Sequence, residues 1–250
     1  MSTLSTLEEL AYLLRDTQRL VVLTGAGISH ESGIPTFRGP EGLWRNFRPE
    51  ELATPAAFAR HPELVWEWYH WRRRLIHQAR PNPAHYALAD LEERFTDFTL
   101  ITQNVDGLHA LAGSRRLIEI HGSIWEVRCT SCQTITLERR LDLPPLPRCS
   151  ACGGLLRPNV VWFGESLDAD RLAAATAALH RAQIMLIIGT SAVVQPAASF
   201  ALWAKQAGAR LAEFNPNSTP LTPHCHFTFQ GQAGDLLPTL LHKVRGGREA

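Results

Sequence analysis

Across 250 residues the sequence carries almost no net charge, +1 with its histidines neutral, so no overall field draws it to nucleic acid or an anionic membrane. Lysine is nearly missing: Lys205 and Lys243 are the only two, and no function follows from the bias toward arginine. No apolar run approaches the roughly 18 residues of a membrane helix. The longest, Ile184-Met185-Leu186-Ile187-Ile188, has the length of a buried strand. The first residues, Met1 to Leu20, set Glu8, Glu9, Arg15 and Asp16 inside their apolar pattern, which is wrong for the core of a signal peptide. Five cysteines are too few to staple a chain of this length, and internal repeats and low-complexity tracts are absent. What is present is 45% hydrophobic residues, enough for a sizeable core, and four cysteines in two close pairs, which point to a metal in a reducing compartment. A soluble cytoplasmic protein, with no membrane and no nucleic-acid partner, is expected.

Short β-branched runs alternate with helical patterns, the signature of a parallel sheet covered on both faces. The strands expected are Leu20 to Thr24, Phe98 to Thr102, Leu117 to Ile120, Ile184 to Ile188 and Arg210 to Phe214. Asn82 can cap a helix that has Pro83 at its first position, Asp168 can cap Ala169 to Ala182, and Pro196 opens a helix running to about Ala207. This predicts an α/β fold, a Rossmann-like doubly wound parallel sheet. Two stretches break the rhythm: a Trp- and Arg-rich helical insertion centred on Pro62 to Gln78, and a segment holding all four paired cysteines and the run Pro144-Pro145-Leu146-Pro147. The organisation expected is therefore a sheet domain in three parts, residues 1–39, 83–124 and 158–250, with a helical module at 40–82 and a zinc-binding module at 125–157.

Leu20-Val21-Val22-Leu23-Thr24 leads into Gly25-Ala26-Gly27-Ile28-Ser29, a strand followed by a glycine turn of the kind that lets backbone N–H groups approach a pyrophosphate. The third glycine arrives late, at Gly33, so the spacing is not the dinucleotide fingerprint, and a tight structural turn explains the loop equally well. Cys129-x2-Cys132 is followed after sixteen residues by Cys149-x2-Cys152, inside the window for a four-thiolate zinc ribbon. Four thiolates leave no open position for water, so such a site is structural; disulfides or a redox pair are the competing reading. Cys225 stands alone and reads as a small buried hydrophobe. Thr102-Gln103-Asn104-Val105-Asp106 leaves another strand end, and His121 follows a third, where a histidine can act as general base on a hydroxyl proton or simply be satisfied beneath the strand edge.

These motifs, with Gly33-Ile34-Pro35-Thr36-Phe37-Arg38, Val160-Val161-Trp162-Phe163-Gly164-Glu165, Gly189-Thr190-Ser191 and Asn215, together resemble the sirtuins, in family order and over nearly the whole chain. The resemblance implies an NAD-dependent protein-lysine deacylase holding one structural Zn2+ and using NAD+ as co-substrate. It implies that Gly25, Ala26, Gly27, Ile28, Ser29, Gly33, Ile34, Phe37 and Arg38 hold the diphosphate and nicotinamide ribose. Gln103, Asn104, Val105 and Asp106 would line the nicotinamide pocket. Gly189, Thr190, Ser191, Asn215, Pro216, Asn217 and the turn to Ala233 would hold the adenosine half. Val161, Trp162, Phe163, Gly164 and Glu165 would pair as an edge strand with the substrate backbone. His121 would be the general base on a ribose hydroxyl, with Asn104 the second catalytic residue, and the products would be free lysine, nicotinamide and O-acyl-ADP-ribose.

Trp66-Glu67-Trp68-Tyr69-His70-Trp71-Arg72-Arg73 is similar to the class III segment in which a Tyr-x-x-Arg pair receives an acidic acyl group. The i to i+3 spacing puts Tyr69 and Arg72 on one helix face, where a guanidinium fork and a phenol can bind the carboxylate of a succinyl or malonyl group. A solvated basic run is the competing reading. Ala53 suits the same subclass by leaving room for a longer chain. The expected activity is removal of succinyl and malonyl groups, with weaker removal of acetyl, from lysines of other proteins by a monomer. His30, Asn159 and Gln195 depart from the family pattern. A general deacetylase or long-chain deacylase, a protein ADP-ribosyltransferase, and a zinc-ribbon binding module are the alternatives.

Overall fold

The computed structural model describes residues 3–37, 43 and 48–246. In chain order the elements are α1 (Thr3–Asp16), β1 (Arg19–Thr24), α2 (Ala26–His30), α3 (Pro49–Leu52), α4 (Pro55–Arg60), α5 (Pro62–Gln78), α6 (Pro83–Glu92), β2 (Asp97–Thr102), α7 (Leu108–Leu111) and β3 (Leu117–Glu119). There follow β4 (Gly122–Cys129), β5 (Ile135–Leu137), β6 (Leu156–Val160), α8 (Ala169–Arg181), β7 (Ile184–Ile188), α9 (Phe200–Gln206), β8 (Arg210–Phe214), β9 (Phe227–Phe229) and α10 (Ala233–Arg245). Among the described residues no helix is long and apolar enough to cross a membrane.

Six strands form one parallel sheet in the order β3-β2-β1-β7-β8-β9. Numbered within the sheet this is 3-2-1-4-5-6, whose direction reverses between β1 and β7 and opens a crevice at their carboxyl ends. Side chains alternate along β1: Leu20 and Val22 pack with α1, α6 and α10, while Val21 and Leu23 pack with α8 and α9. The five strands expected in this sheet all form. The additional β9 is only three residues long, too short to announce itself by pattern. α10 is also additional; Pro238 lies within it and breaks the helical signal, yet Leu237, Leu240, Leu241 and Val244 bury one face against the sheet.

Caps occur where the side chains provide for them. Asn82 Oδ1 accepts the Ala84 N–H at 3.0 Å, and Asp168 Oδ1 accepts the Arg171 N–H at 2.9 Å. The expected helix from Pro196 is divided: Ser199 N–H donates to the Pro196 carbonyl at 2.9 Å, making a 3-10 turn over Ala197–Ser199 before α9 begins.

A second, three-stranded antiparallel sheet has the order β5-β4-β6. It shares a third apolar cluster with α4 and α5: Phe58, Val65, Trp66, Trp68 and Tyr69 pack with Ile124, Trp125, Val127, Val160 and Trp162. Polar bonds join the two, since Trp66 Nε1 donates to the Leu156 carbonyl at 2.9 Å and Arg73 donates to the Ile124 carbonyl at 2.6 Å.

Within the chain Val161–Glu165 form a turn and no strand. Gly164 takes φ +86° and Glu165 N–H donates back to the Trp162 carbonyl at 3.0 Å, closing a turn. The neighbouring donors are committed within the chain: Val161 N–H to His121 O, Phe163 N–H to Ala53 O, and Trp162 N–H to the Glu165 carboxylate.

Candidate active site

A cavity of about 880 Å³ lies at the β1/β7 reversal, running from the glycine turn past the α5 face to the loop after β8. Its glycine wall is set by close approach. A Cβ at Gly25 would lie 2.8 Å from Gly189 O, and one at Gly27 would lie 2.7 Å from the same oxygen. Gly27 N–H donates to Gly189 O at 2.7 Å, so both readings of the loop apply: it is a tight structural turn, and Gly25, Ala26 and Gly27 line the cavity. Gly189, Thr190 and Ser191 line it from the β7 side; Asn215, Pro216, Asn217 and Ala233 line its far end.

The end of β2 supplies the central wall. Gln103 Nε2 donates to Thr190 Oγ1 at 3.0 Å, tying the two strand ends together. The Asn104 amide donates to Gly25 O at 3.1 Å and to Ser29 Oγ at 3.0 Å. Ser29 and Asp106 stand behind this wall: the Ser29 hydroxyl donates to Asp106 Oδ2 at 2.8 Å, and the Leu108 N–H donates to Oδ1 at 2.8 Å. Burial is the largest influence on Asp106 and pushes its pKa up, against these bonds and the Arg72 charge, which pull it down. Ile28 and Ile34 are buried in the core, and Gly33 turns at φ +83° outside the cavity. Val105 and Phe37 line it, whereas Arg38 falls outside the described residues.

His121 enters from the strand β3–β4 junction. Its Nδ1 is 3.1 Å from Gln103 O, and because a carbonyl only accepts, Nδ1 carries the proton and Nε2 keeps its lone pair. Burial lowers the pKa of this imidazole, with the Gln103 carbonyl working in the opposite direction. The result is a neutral ring lining the cavity, the form a general base needs.

At the helical end Tyr69 and Arg72 line the cavity together with Ala53, Trp68 and the Val161–Glu165 turn. Arg72 is 5% exposed, and its guanidinium carbon sits 4.8 Å from the Phe37 ring centroid and 4.9 Å from that of Trp68. Desolvation lowers its pKa, offset by Tyr69 and Asp106, but an arginine does not lose its proton in a protein. Among the described residues it has no hydrogen-bond acceptor and no carboxylate at ion-pair distance. The solvated basic run is thus excluded for Arg72. The Tyr69 phenol accepts the Trp162 indole N–H at 2.8 Å.

Several cavity residues belong to none of the sequence motifs. Glu31 lines it while its carboxylate accepts the Gly234 N–H at 3.0 Å, holding the start of α10. Ser218 and Thr219 line the far end, in a loop tied down by Glu213, whose carboxylate accepts the Thr219 and Thr222 hydroxyls, and Gln232 joins them from the start of α10. An acidic residue inside an otherwise apolar strand was the available signal for Glu213.

Apart from the cavity, Cys129, Cys132, Cys149 and Cys152 bring their sulfurs within 4.8 Å of one another. Cys129 Sγ lies 3.4 Å from Cys152 Sγ, and Cys132 Sγ lies 3.8 Å from Cys149 Sγ. Zinc–sulfur bonds of about 2.3 Å place tetrahedral sulfurs about 3.8 Å apart, so the donor set fits a structural zinc. The cavity likewise suits a dinucleotide in volume and in its alternating glycine backbone and short polar side chains.

Comparison with known proteins agrees with this architecture. The Sir2 family profile matches residues 25–196. A curated relative, NAD-dependent protein deacylase 1 of Archaeoglobus fulgidus, is 52% identical over 239 residues, covering 95% of this chain and 98% of its own. A solved Sir2 homologue–NAD complex superposes with a TM-score of 0.91 at 51% identity, covering 96% of this chain and 94% of that one. A Sir2–p53 peptide–NAD+ complex superposes with a TM-score of 0.84 at 35% identity, over 96% and 98% of the two chains.

Proposed function

We propose that this chain, which belongs to the Sir2 family and is an NAD-dependent protein deacylase, acts preferentially on lysines carrying an acidic acyl group, succinyl or malonyl, and more weakly on acetyl-lysine. The observation that carries the preference is Arg72, a buried cation with no anionic partner among the described residues, which faces the cavity beside a phenol. A terminal carboxylate completes that pair by charge-assisted hydrogen bonds, whereas an acetyl methyl leaves both groups unsatisfied. Protein substrates are supported by the peptide complex of a relative.

When bound, NAD+ supplies the electrophile, a ribose carbon that takes the acyl oxygen as nicotinamide departs. The chain's own residues bind, orient and move one proton. Gly25, Ala26, Gly27, Thr190 and Asn215 lie where the diphosphate and adenosine would rest. Asn104 lines the cavity with both amide protons committed to Gly25 O and Ser29 Oγ, which leaves its side-chain oxygen as the atom that would meet the nicotinamide. His121 Nε2 accepts a ribose hydroxyl proton, and Gln103 O keeps the ring in the tautomer that can do so. The acyl chain enters beside Ala53 toward Tyr69 and Arg72. Nicotinamide, free lysine and O-acyl-ADP-ribose are the products. The four cysteines would hold zinc with no open coordination position, so it takes no part in the chemistry. That thiol set requires reduced cysteines, which supports a cytoplasmic setting.

Turnover of one peptide carrying succinyl-, malonyl- or acetyl-lysine, with mass detection of the ADP-ribose product, tests the reading. Higher kcat/KM for the two acidic acyl groups is expected; higher kcat/KM for acetyl overturns it.

A further inference from the structure

The Val161–Glu165 turn does more than border the cavity. Trp162 is 3% exposed, packs against Phe58 at a ring distance of 5.3 Å, and has the Arg157 guanidinium carbon 3.4 Å from its ring centroid. Arg157 is held in turn, donating to Glu165 at 2.6 and 2.9 Å and to the Val160 carbonyl at 2.9 Å. The same Glu165 carboxylate accepts the Trp162 backbone N–H at 2.8 Å. Indole, guanidinium and carboxylate therefore form one closed arrangement, and the indole has no freedom to turn its N–H elsewhere. That N–H points at the Tyr69 oxygen, 2.8 Å away.

An indole N–H only donates, so Tyr69 must accept from it. The charged groups facing the phenol among the described residues are Arg72 and Arg157, cations that only donate, and Glu165, whose two carboxylate oxygens accept from Arg157 and the Trp162 backbone N–H. Among the described residues none of these groups takes the phenol's proton, which is left for an acceptor brought by the substrate. Donation into the phenol oxygen also strengthens the hydrogen bond that its O–H makes.

We propose that Trp162 is a specificity-determining positioning residue: its indole N–H, held by the Arg157–Glu165 pair, fixes Tyr69 as a hydrogen-bond donor to the carboxylate of an acidic acyl group. This rests on the acidic-acyl reading of Tyr69 and Arg72. It assigns the turn a role in selecting the acyl group, distinct from pairing with the substrate backbone.

The test is a double-mutant cycle on the selectivity ratio, kcat/KM for succinyl-lysine peptide over that for acetyl-lysine peptide, in the full-length protein. The wild-type ratio is read first; a ratio at or below one overturns the acidic-acyl reading, and the role of Trp162 with it. Given a ratio above one, Trp162→Phe is expected to lower it about five- to thirty-fold, chiefly through KM for the succinyl peptide. Tyr69→Phe lowers it too, and the double variant falls no further than Tyr69→Phe alone. Equal losses on both peptides with the ratio intact, or two effects that multiply, overturn the proposal while leaving the acidic-acyl reading standing. Should the phenylalanine variant not fold, benzothienylalanine in place of Trp162 keeps the bicyclic ring and exchanges only N–H for sulfur. It is expected to lower the ratio to the same extent, and an unchanged ratio overturns the proposal.

Discussion

Nδ1 of His121 is 3.1 Å from the backbone oxygen of Gln103, the residue whose side chain also bonds Thr190 across the sheet reversal. One residue thus fixes the tautomer of the base and joins the two strand ends that frame the cavity. Because burial lowers the His121 pKa, the neutral form persists below the ordinary histidine range. With His121 as the proposed base, kcat/KM is expected to fall as pH drops through the lowered value and to be flat above it. A pH profile checks this; His121→Ala lowers kcat at least about a hundredfold and removes the acid limb from what activity is left.

Arg72→Ala is expected to lower the succinyl-to-acetyl selectivity ratio about thirty- to a thousand-fold, the cost of leaving a buried carboxylate unpaired. Arg72→Lys recovers only part of it, since an ammonium cannot fork onto both oxygens or spread over the Phe37 and Trp68 rings. Steady-state kinetics on matched peptides measure both variants.

Metal analysis is expected to find one zinc per chain. Stripping it with a chelator, or Cys149→Ser, lowers the melting temperature, because four thiolates otherwise meet without a counter-charge. A chain that is metal-free, fully active and as stable as the purified form contradicts the assignment.

Glu119, at the end of β3, has its pKa raised to about 7, first by burial and then by the Glu126 carboxylate, with Arg171 opposing. The folded state therefore holds this proton more tightly than the unfolded chain. Stability from this group is present below pH about 4.5 and is lost as pH rises to about 7. The loss is on the order of 3 kcal/mol as an upper bound. Glu119→Gln mimics the protonated acid, so it raises denaturation free energy at pH about 8 while leaving it little changed at pH about 4. Urea titrations at both values decide it.

The central sheet was legible because its strands are short β-branched runs bounded by glycine or polar turns, and the α5 and α6 boundaries because proline and asparagine stand at their starts. β9 and α10 were not, the first for lack of length and the second for Pro238. Val161-Trp162-Phe163 has the composition of a strand, and what bends it into a turn is tertiary: the Glu165 carboxylate claims a backbone donor that a strand partner would use. In the site, type and spacing point to the four cysteines, which do cluster, whereas His121, Tyr69 and Arg72 stand out through the resemblance, and all three line the cavity. Glu31 has no sequence signal because it acts on a backbone N–H 203 residues away, and Glu213 acts on hydroxyls six and nine residues on, in a loop whose fold no local pattern announces. Asp106 and Ser29 fall beside the cavity residues in sequence yet stand one layer behind them.

Gly25, Gly27 and Gly189 press so closely that a methyl on any one would strike the backbone of another loop; one on Gly189 would lie 2.5 Å from Ile28 N. The loops after β1 and β7 consequently share one mutational fate. Single changes at these three positions are dead ends, and a descendant with a reshaped cleft must alter both loops together. Directed evolution of new cofactor preference therefore has more room at the far rim, around Ser218, Thr219 and Gln232, where no backbone is interlocked with a neighbour's glycine.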